Sequence, residues 1–106
     1  MASSKVEVFK SMVESDPTNA LARYGLANEL VKAEQYEDAI VAMKEYLAMH
    51  QDEGAAYRLL AFANEKLKKY DEAREAYKTG IETATKHHHP GMVSEYQTKL
   101  EDLEDL

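Results

Sequence analysis

An all-α fold made of repeated helix pairs is what this sequence predicts, and three observations carry that expectation. Proline occurs only at positions 17 and 90 and glycine only at 25, 54, 80 and 91, so breakers of helix are few and widely spaced. Strict apolar–polar alternation with Val, Ile, Thr and aromatic enrichment, the strand signature, is missing; apolar residues instead recur three and four positions apart. Displacing the chain by 34 residues superimposes it on itself without a gap, and that test comes before any placing of single helices. Residues 20–53 laid over 54–87 pair Ala22 with Ala56, Leu26 with Leu60, Ala27 with Ala61 and Lys32 with Lys66. They also pair Tyr36 with Tyr70, Ala39 with Ala73, Ala42 with Ala76 and Lys44 with Lys78.

The elements follow in order. A first helix is expected at 4–14, with Val6, Phe9, Met12 and Val13 as its apolar residues and Lys5, Glu7, Lys10, Ser11 and Glu14 making most of its outer face polar. Asp16-Pro17 closes that unit, and Asp16, Thr18 or Asn19 can cap the orphan amides of a second helix at 19–33, which aligns Ala22, Leu26 and Leu30. A third helix at 36–50 aligns Ala39, Ala42, Met43 and Tyr46. The same two helices recur at 54–67, on Tyr57, Leu60 and Ala61, and at 70–86, on Ala73, Ala76 and Tyr77. After His87 the 34-residue register is lost, and a closing helix at 91–104 is opened by Pro90 and carries Met92, Val93, Tyr96, Leu100 and Leu103 as one stripe. The chain thus divides, within a single domain, into an N-terminal half-unit at 4–19, repeats at 20–53 and 54–87, and a terminal cap at 88–106.

Composition narrows the function. The 13 Lys and Arg against 20 Asp and Glu leave a net −7, a field that repels phosphate and argues against nucleic acid. A 44 % hydrophobic and 31 % charged balance suits a packed soluble domain. With no cysteine, disulfides, thiolate metal sites and a Cys nucleophile are excluded, and a reducing compartment is favoured. MASSKVEVFK has no apolar core of a secretory leader, and the longest apolar run, Ala55 to Ala63, contains Arg58 and is about half a membrane span. These point to a soluble, cytoplasmic chain without a membrane role. No Walker-type Gly-Lys loop, G-x-S-x-G elbow or H-E-x-x-H occurs, so no enzyme activity is expected. His87-His88-His89 with His50 is the one candidate metal feature; three consecutive residues do not converge on one ion, so it reads as an exposed connection, and neither metal nor cofactor is expected. Glu101, Asp102, Glu104 and Asp105 crowd a helix C-terminus, where the dipole disfavours them and fraying is expected.

The 34-residue period with two helices resembles the tetratricopeptide repeat. Leu26-Ala27 and Leu60-Ala61 fall at its seventh and eighth positions, Tyr36 and Tyr70 at the seventeenth, Ala39 and Ala73 at the twentieth, and Met43 and Tyr77 at the twenty-fourth. Phe9, Val13 and Pro17 extend the register backwards. The resemblance implies a right-handed superhelical array of antiparallel helix pairs with a C-terminal capping helix. Five residues depart from the pattern: Glu34 and Lys68 occupy the turn position usually held by Gly, where some strain is expected, and Arg23 stands for an aromatic and Asn64 for an apolar residue. Tyr46, in addition, replaces a small one.

In this family the first helix of each unit lines a concave groove that holds a segment of another protein. Carried over by position, the groove residues are Leu21, Tyr24, Gly25, Asn28, Val31 and Lys32 from the first repeat and Ala55, Arg58, Leu59, Phe62, Glu65 and Lys66 from the second. Tyr24, Leu59 and Phe62 would supply apolar contact, Asn28 backbone bonding, and Lys32, Arg58 and Lys66 a local positive charge against the net −7. Packing of Leu59 and Phe62 within the array, with the lysines as solvated helix ends, is the competing reading. The expected partner is an unidentified protein or peptide, held at about micromolar affinity over a modest area. The chaperone-tail clamp of the family is not expected, since only Asn28 matches it, Tyr24 stands in place of its lysine, and a third unit is lacking. A monomer is favoured; the alternative is a homodimer formed through the terminal helices.

Overall fold

The computed structural model describes residues 4–106, and the expectation about a leader, drawn from the first ten residues, falls partly outside them. Six helices and no strand occur among the described residues: α1 Ser4–Ser15, α2 Ala20–Lys32, α3 Tyr36–Met49, α4 Ala55–Lys66, α5 Tyr70–Lys86 and α6 Pro90–Asp102. Every boundary lies within two residues of the sequence expectation. The chain forms two compact units, Met1–Gln51 and Asp52–Leu106.

In the first unit α1 packs on α2 and α2 on α3. Ala22, Ala27 and Ala39 are buried, so the helix backbones approach closely, and Leu30 and Met43 fill the space beside them. Gly25 admits the ring of Phe9 from α1; a Cβ there would overlap it. Asn19 caps α2, its Oδ1 accepting from Ala22 N at 3.0 Å. Asp16 instead turns the loop locally, accepting from Thr18 N and Oγ1. Arg23 takes the slot of an aromatic by a different bond, donating from Nε to the Pro17 carbonyl at 2.7 Å.

The second unit stacks α5 between α4 and α6. Ala56, Ala61, Ala73 and Ala84 are buried to the last atom, and Tyr77 and Tyr96 bring bulk to that small-residue interface. Asn64, in an apolar position, is buried with its Nδ2 donating to the Leu60 carbonyl at 3.0 Å. Gly80 receives the Tyr96 ring: an added Cβ would lie 2.7 Å from Tyr96 Cε2 and 3.0 Å from Tyr57 Cβ. Asp52 caps α4, one oxygen accepting from both Gly54 N and Ala56 N, at 2.8 and 2.9 Å.

Three turns share one geometry. Glu34, Lys68 and His88 have φ of 60°, 59° and 61°, the left-handed region. Around each, two hydrogen bonds close the preceding helix: Glu34 N to Val31 O and Gln35 N to Leu30 O, Lys68 N to Glu65 O and Lys69 N to Asn64 O, His88 N to Thr85 O and His89 N to Ala84 O. This is the 6→1 and 5→2 pairing of a Schellman motif. Glu34 and Lys68 therefore take up backbone strain where Gly is the unstrained choice. The third turn explains why the register breaks after His87: α5 passes to α6 through the tight corner used between paired helices, not through a longer connection like the one from His50 to Gly54.

At the C-terminus α6 ends at Asp102, two residues short of the expected end, and the chain continues as a turn. Leu103 is buried, and Arg74 Nη1 donates to its carbonyl at 2.6 Å, while Arg74 Nη2 meets Asp71 Oδ1 at 2.6 Å. A guanidinium thus sits on the carbonyl end of α6, where the helix dipole favours positive charge.

Candidate functional site

The expected binding residues lie on α2 in the first unit and α4 in the second. On α2, Leu21 is 82 % exposed, the most open of the large apolar side chains on this helix. Tyr24 is half-buried and meets Tyr46 of α3 edge to face, ring centroids 5.3 Å apart. Gly25 is turned to Phe9, Asn28 and Val31 are half-buried, and Lys32 is exposed with its Nζ 3.3 Å from Glu29. On α4, Ala55 and Leu59 are half-buried and Phe62 is 39 % exposed. Lys66 Nζ lies over the Phe62 ring, 5.4 Å from its centroid, so one helical turn sets a cation above an aromatic face.

The other two polar residues of α4 are engaged within the unit. Arg58 makes a two-pronged pair with Glu95 of α6, Nε to Oε2 at 2.6 Å and Nη2 to Oε1 at 2.7 Å, and its guanidinium lies 5.6 Å from the Tyr96 ring centroid. Glu65 accepts from the Tyr77 hydroxyl of α5 at 2.5 Å. The expected local positive charge is corrected accordingly: Glu95 offsets Arg58 and Glu29 offsets Lys32, which leaves Lys66 as the cation without an acid partner among those three.

The network has electrostatic consequences. Hydrogen bonding from Arg58 holds the Glu95 carboxyl below its ordinary value. Burial, reinforced by Glu65, pushes the Tyr77 phenol well up, and burial takes Tyr96 up to about 12 although Arg58 opposes it. Glu95 therefore stabilises the folded chain above the usual glutamate range, and that contribution is lost as pH falls through its depressed value. In a carboxyl-detected NMR titration Glu95 should titrate below the exposed glutamates, and Arg58→Gln should return it toward them.

The histidine tract does not assemble a centre. Among the described residues no three His, Asp or Glu side chains form a metal-holding group. His89 Nε2 lies 2.7 Å from Glu53 Oε1, which lowers the Glu53 carboxyl, and His88 and His89 with Thr85, Pro90 and Val93 line an open hollow of about 530 Å³. His50 packs against Tyr46 at the end of α3.

The face expected to support self-association through α1 is largely taken up by packing: Val6 is buried and Phe9 and Val13 are half-buried, with Val8 and Met12 left exposed. Sequence reasoning overlooked Glu95, which carries no periodic signal linking it to Arg58 37 positions away. It also overlooked Asp52, although an Asp just ahead of a helix is a recognisable cap.

Among the described residues no helix is long and apolar enough to cross a membrane. No curated protein matches the chain at a significant level. The tetratricopeptide repeat family model matches residues 30–90, from the end of α2 to the start of α6 and more than half of the 106 residues. With its helix pairs, its 34-residue period and this match, the chain belongs to the tetratricopeptide repeat family.

Proposed function

We propose that this chain is a non-enzymatic, cytoplasmic binding module that receives a protein or peptide segment on the first helices of its repeats, α2 and α4. Tetratricopeptide repeats generally mediate protein–protein interaction and are typically not enzymes. The observation that favours these helices is the exposure of Leu21 and Phe62, large apolar side chains at positions the family uses for ligand contact. Phe62 with Lys66 gives an apolar anchor beside a donor, a combination that orients an extended segment as well as binding it. The finer electrostatic reading changes with the pairing of Arg58: its guanidinium is engaged by Glu95 of α6, so the test of binding rests on Leu21 and Phe62 instead.

The test uses the two exposed side chains. Affinity capture from the native cell should recover a partner with the unaltered chain. Leu21→Ala with Phe62→Ala, its helical circular dichroism unchanged, should bind that purified partner at least tenfold more weakly by titration calorimetry. Equal affinity for both chains would overturn the assignment of α2 and α4.

A further inference from the structure

Packing takes up Val6, Phe9 and Val13 of α1, and a second, exposed face runs beside them. Seating of the Phe9 ring at Gly25 and burial of Val6 fix the rotation of the helix about its axis. That rotation leaves Val8 56 % exposed and Met12 40 % exposed. At about 100° per residue, Lys5, Val8, Met12 and Asp16 fall within an arc of about 80°, with Ser11 and Ser15 along one edge of it. Asp16 keeps this register although α1 ends at Ser15, because its amide still bonds the Met12 carbonyl at 3.0 Å. The other charged residues of the helix, Glu7, Lys10 and Glu14, project from the opposite side. The face therefore has an apolar middle, a cation at one end and an anion at the other, all exposed.

Each of the two end charges opposes the dipole of its own helix: Lys5 stands in the first turn and Asp16 just past the last, about 16 Å away along the axis. Neither makes an ion pair among the described residues. Asp16 accepts from Thr18 through Oδ1 alone, and its second oxygen makes no bond among the described residues. A second copy laid antiparallel on this face relieves both charges at once. A two-fold axis midway along the helix exchanges positions 5 and 16, so Lys5 of each copy meets Asp16 of the other while Val8 and Met12 close the middle. Each lysine then also lies beside the negative end of the facing helix, and each aspartate beside the positive end. A ligand carrying a single sign of charge would meet its like at one end, and an uncharged one would leave both ends unpaired.

We propose that the exposed face of α1 is a homodimerisation surface on which two copies pair antiparallel, Lys5 of each against Asp16 of the other across Val8 and Met12. It is separate from the α2 and α4 contacts proposed above, whose test reads Leu21 and Phe62. Two facing 12-residue helices bury less than the roughly 1,200 Å² of the smaller stable interfaces, so the dimer is weak, with a Kd of about 0.1 mM. Sedimentation equilibrium of the full chain at low salt should read close to the single 12.0 kDa mass at about 10 μM and most of the way to twice that mass at about 1 mM. Lys5→Glu and Asp16→Lys, each alone, should weaken association about fivefold, since either change sets like charges against each other at both ends of an antiparallel pair. An equimolar mixture of the two variants should recover the wild-type affinity, because each changed charge then meets its complement in the other chain; a misfolded variant would not be repaired by mixing. Val8→Ser with Met12→Ser, its helical circular dichroism unchanged, should stay at the single mass throughout. A wild-type chain that stays at the single mass at the higher concentration overturns the proposal and leaves the face to a different protein. Association that the charge reversals do not weaken, that mixing does not restore, or that survives loss of both apolar side chains overturns it as well.

Discussion

Tyr96→Ala should lower the unfolding free energy of the second unit by about 3–5 kcal/mol, the range for truncating a buried aromatic side chain. The side chain is fully buried, meets the Tyr77 ring at a tilt with centroids 5.6 Å apart, occupies the space left by Gly80, and donates its hydroxyl to the Gly54 carbonyl at 2.7 Å. Truncation removes the ring from α5 and leaves the Gly54 carbonyl without that donor. Tyr96→Phe separates the two effects: the ring stays, the bond goes, and the loss should be about 1–2 kcal/mol. Urea denaturation followed by circular dichroism measures both. A loss for the alanine variant no larger than that for the phenylalanine variant would show that α6 does not depend on this ring.

Replacing Glu34, Lys68 and His88 together by glycine should raise stability by about 2 kcal/mol. A non-glycine residue in the left-handed region carries roughly 1–2 kcal/mol of strain, and glycine returns about 0.5–1 kcal/mol of that as extra freedom in the unfolded chain. The three turns share no hydrogen-bond partner, so their gains should add. Calorimetry at high salt, where the charge of Lys68 matters little, should show a higher melting temperature for the triple variant and a smaller rise for each single one. An unchanged or lower melting temperature would mean that the exposed side chains at these corners contribute more than their backbone strain removes.

Most of the helical framework was legible because helix pairs write themselves in local spacing. The positions of Ala27, Ala39, Ala61 and Ala73 announced close backbone contact, and all four are buried. Pro90 announced the start of α6 and stands in its first turn. The candidate site was less legible. Arg58 reads as a surface cation in any local window, and only the fold brings Glu95 to it from 37 residues away. Arg74 has no local mark as the residue that holds the end of α6, a bond made 29 residues away. Periodicity reports which face of a helix is apolar; it does not report which acid a long basic side chain will reach across to another helix.

The hydroxyl of Tyr96 joins residues 42 positions apart, while the turns at Lys68 and His88 are closed by bonds that span only three and five residues. Local corners form before long loops close, since loop closure carries an entropy penalty that grows with length. In the folding order this sets, the α4–α5 and α5–α6 corners come first, and seating of the tyrosine against Gly54 is a late event. Its contacts are then absent from the rate-limiting state, so truncation should leave the folding rate nearly unchanged and show itself as faster unfolding. The ring at the centre of the second unit would thus set how long that unit stays folded more than how quickly it forms.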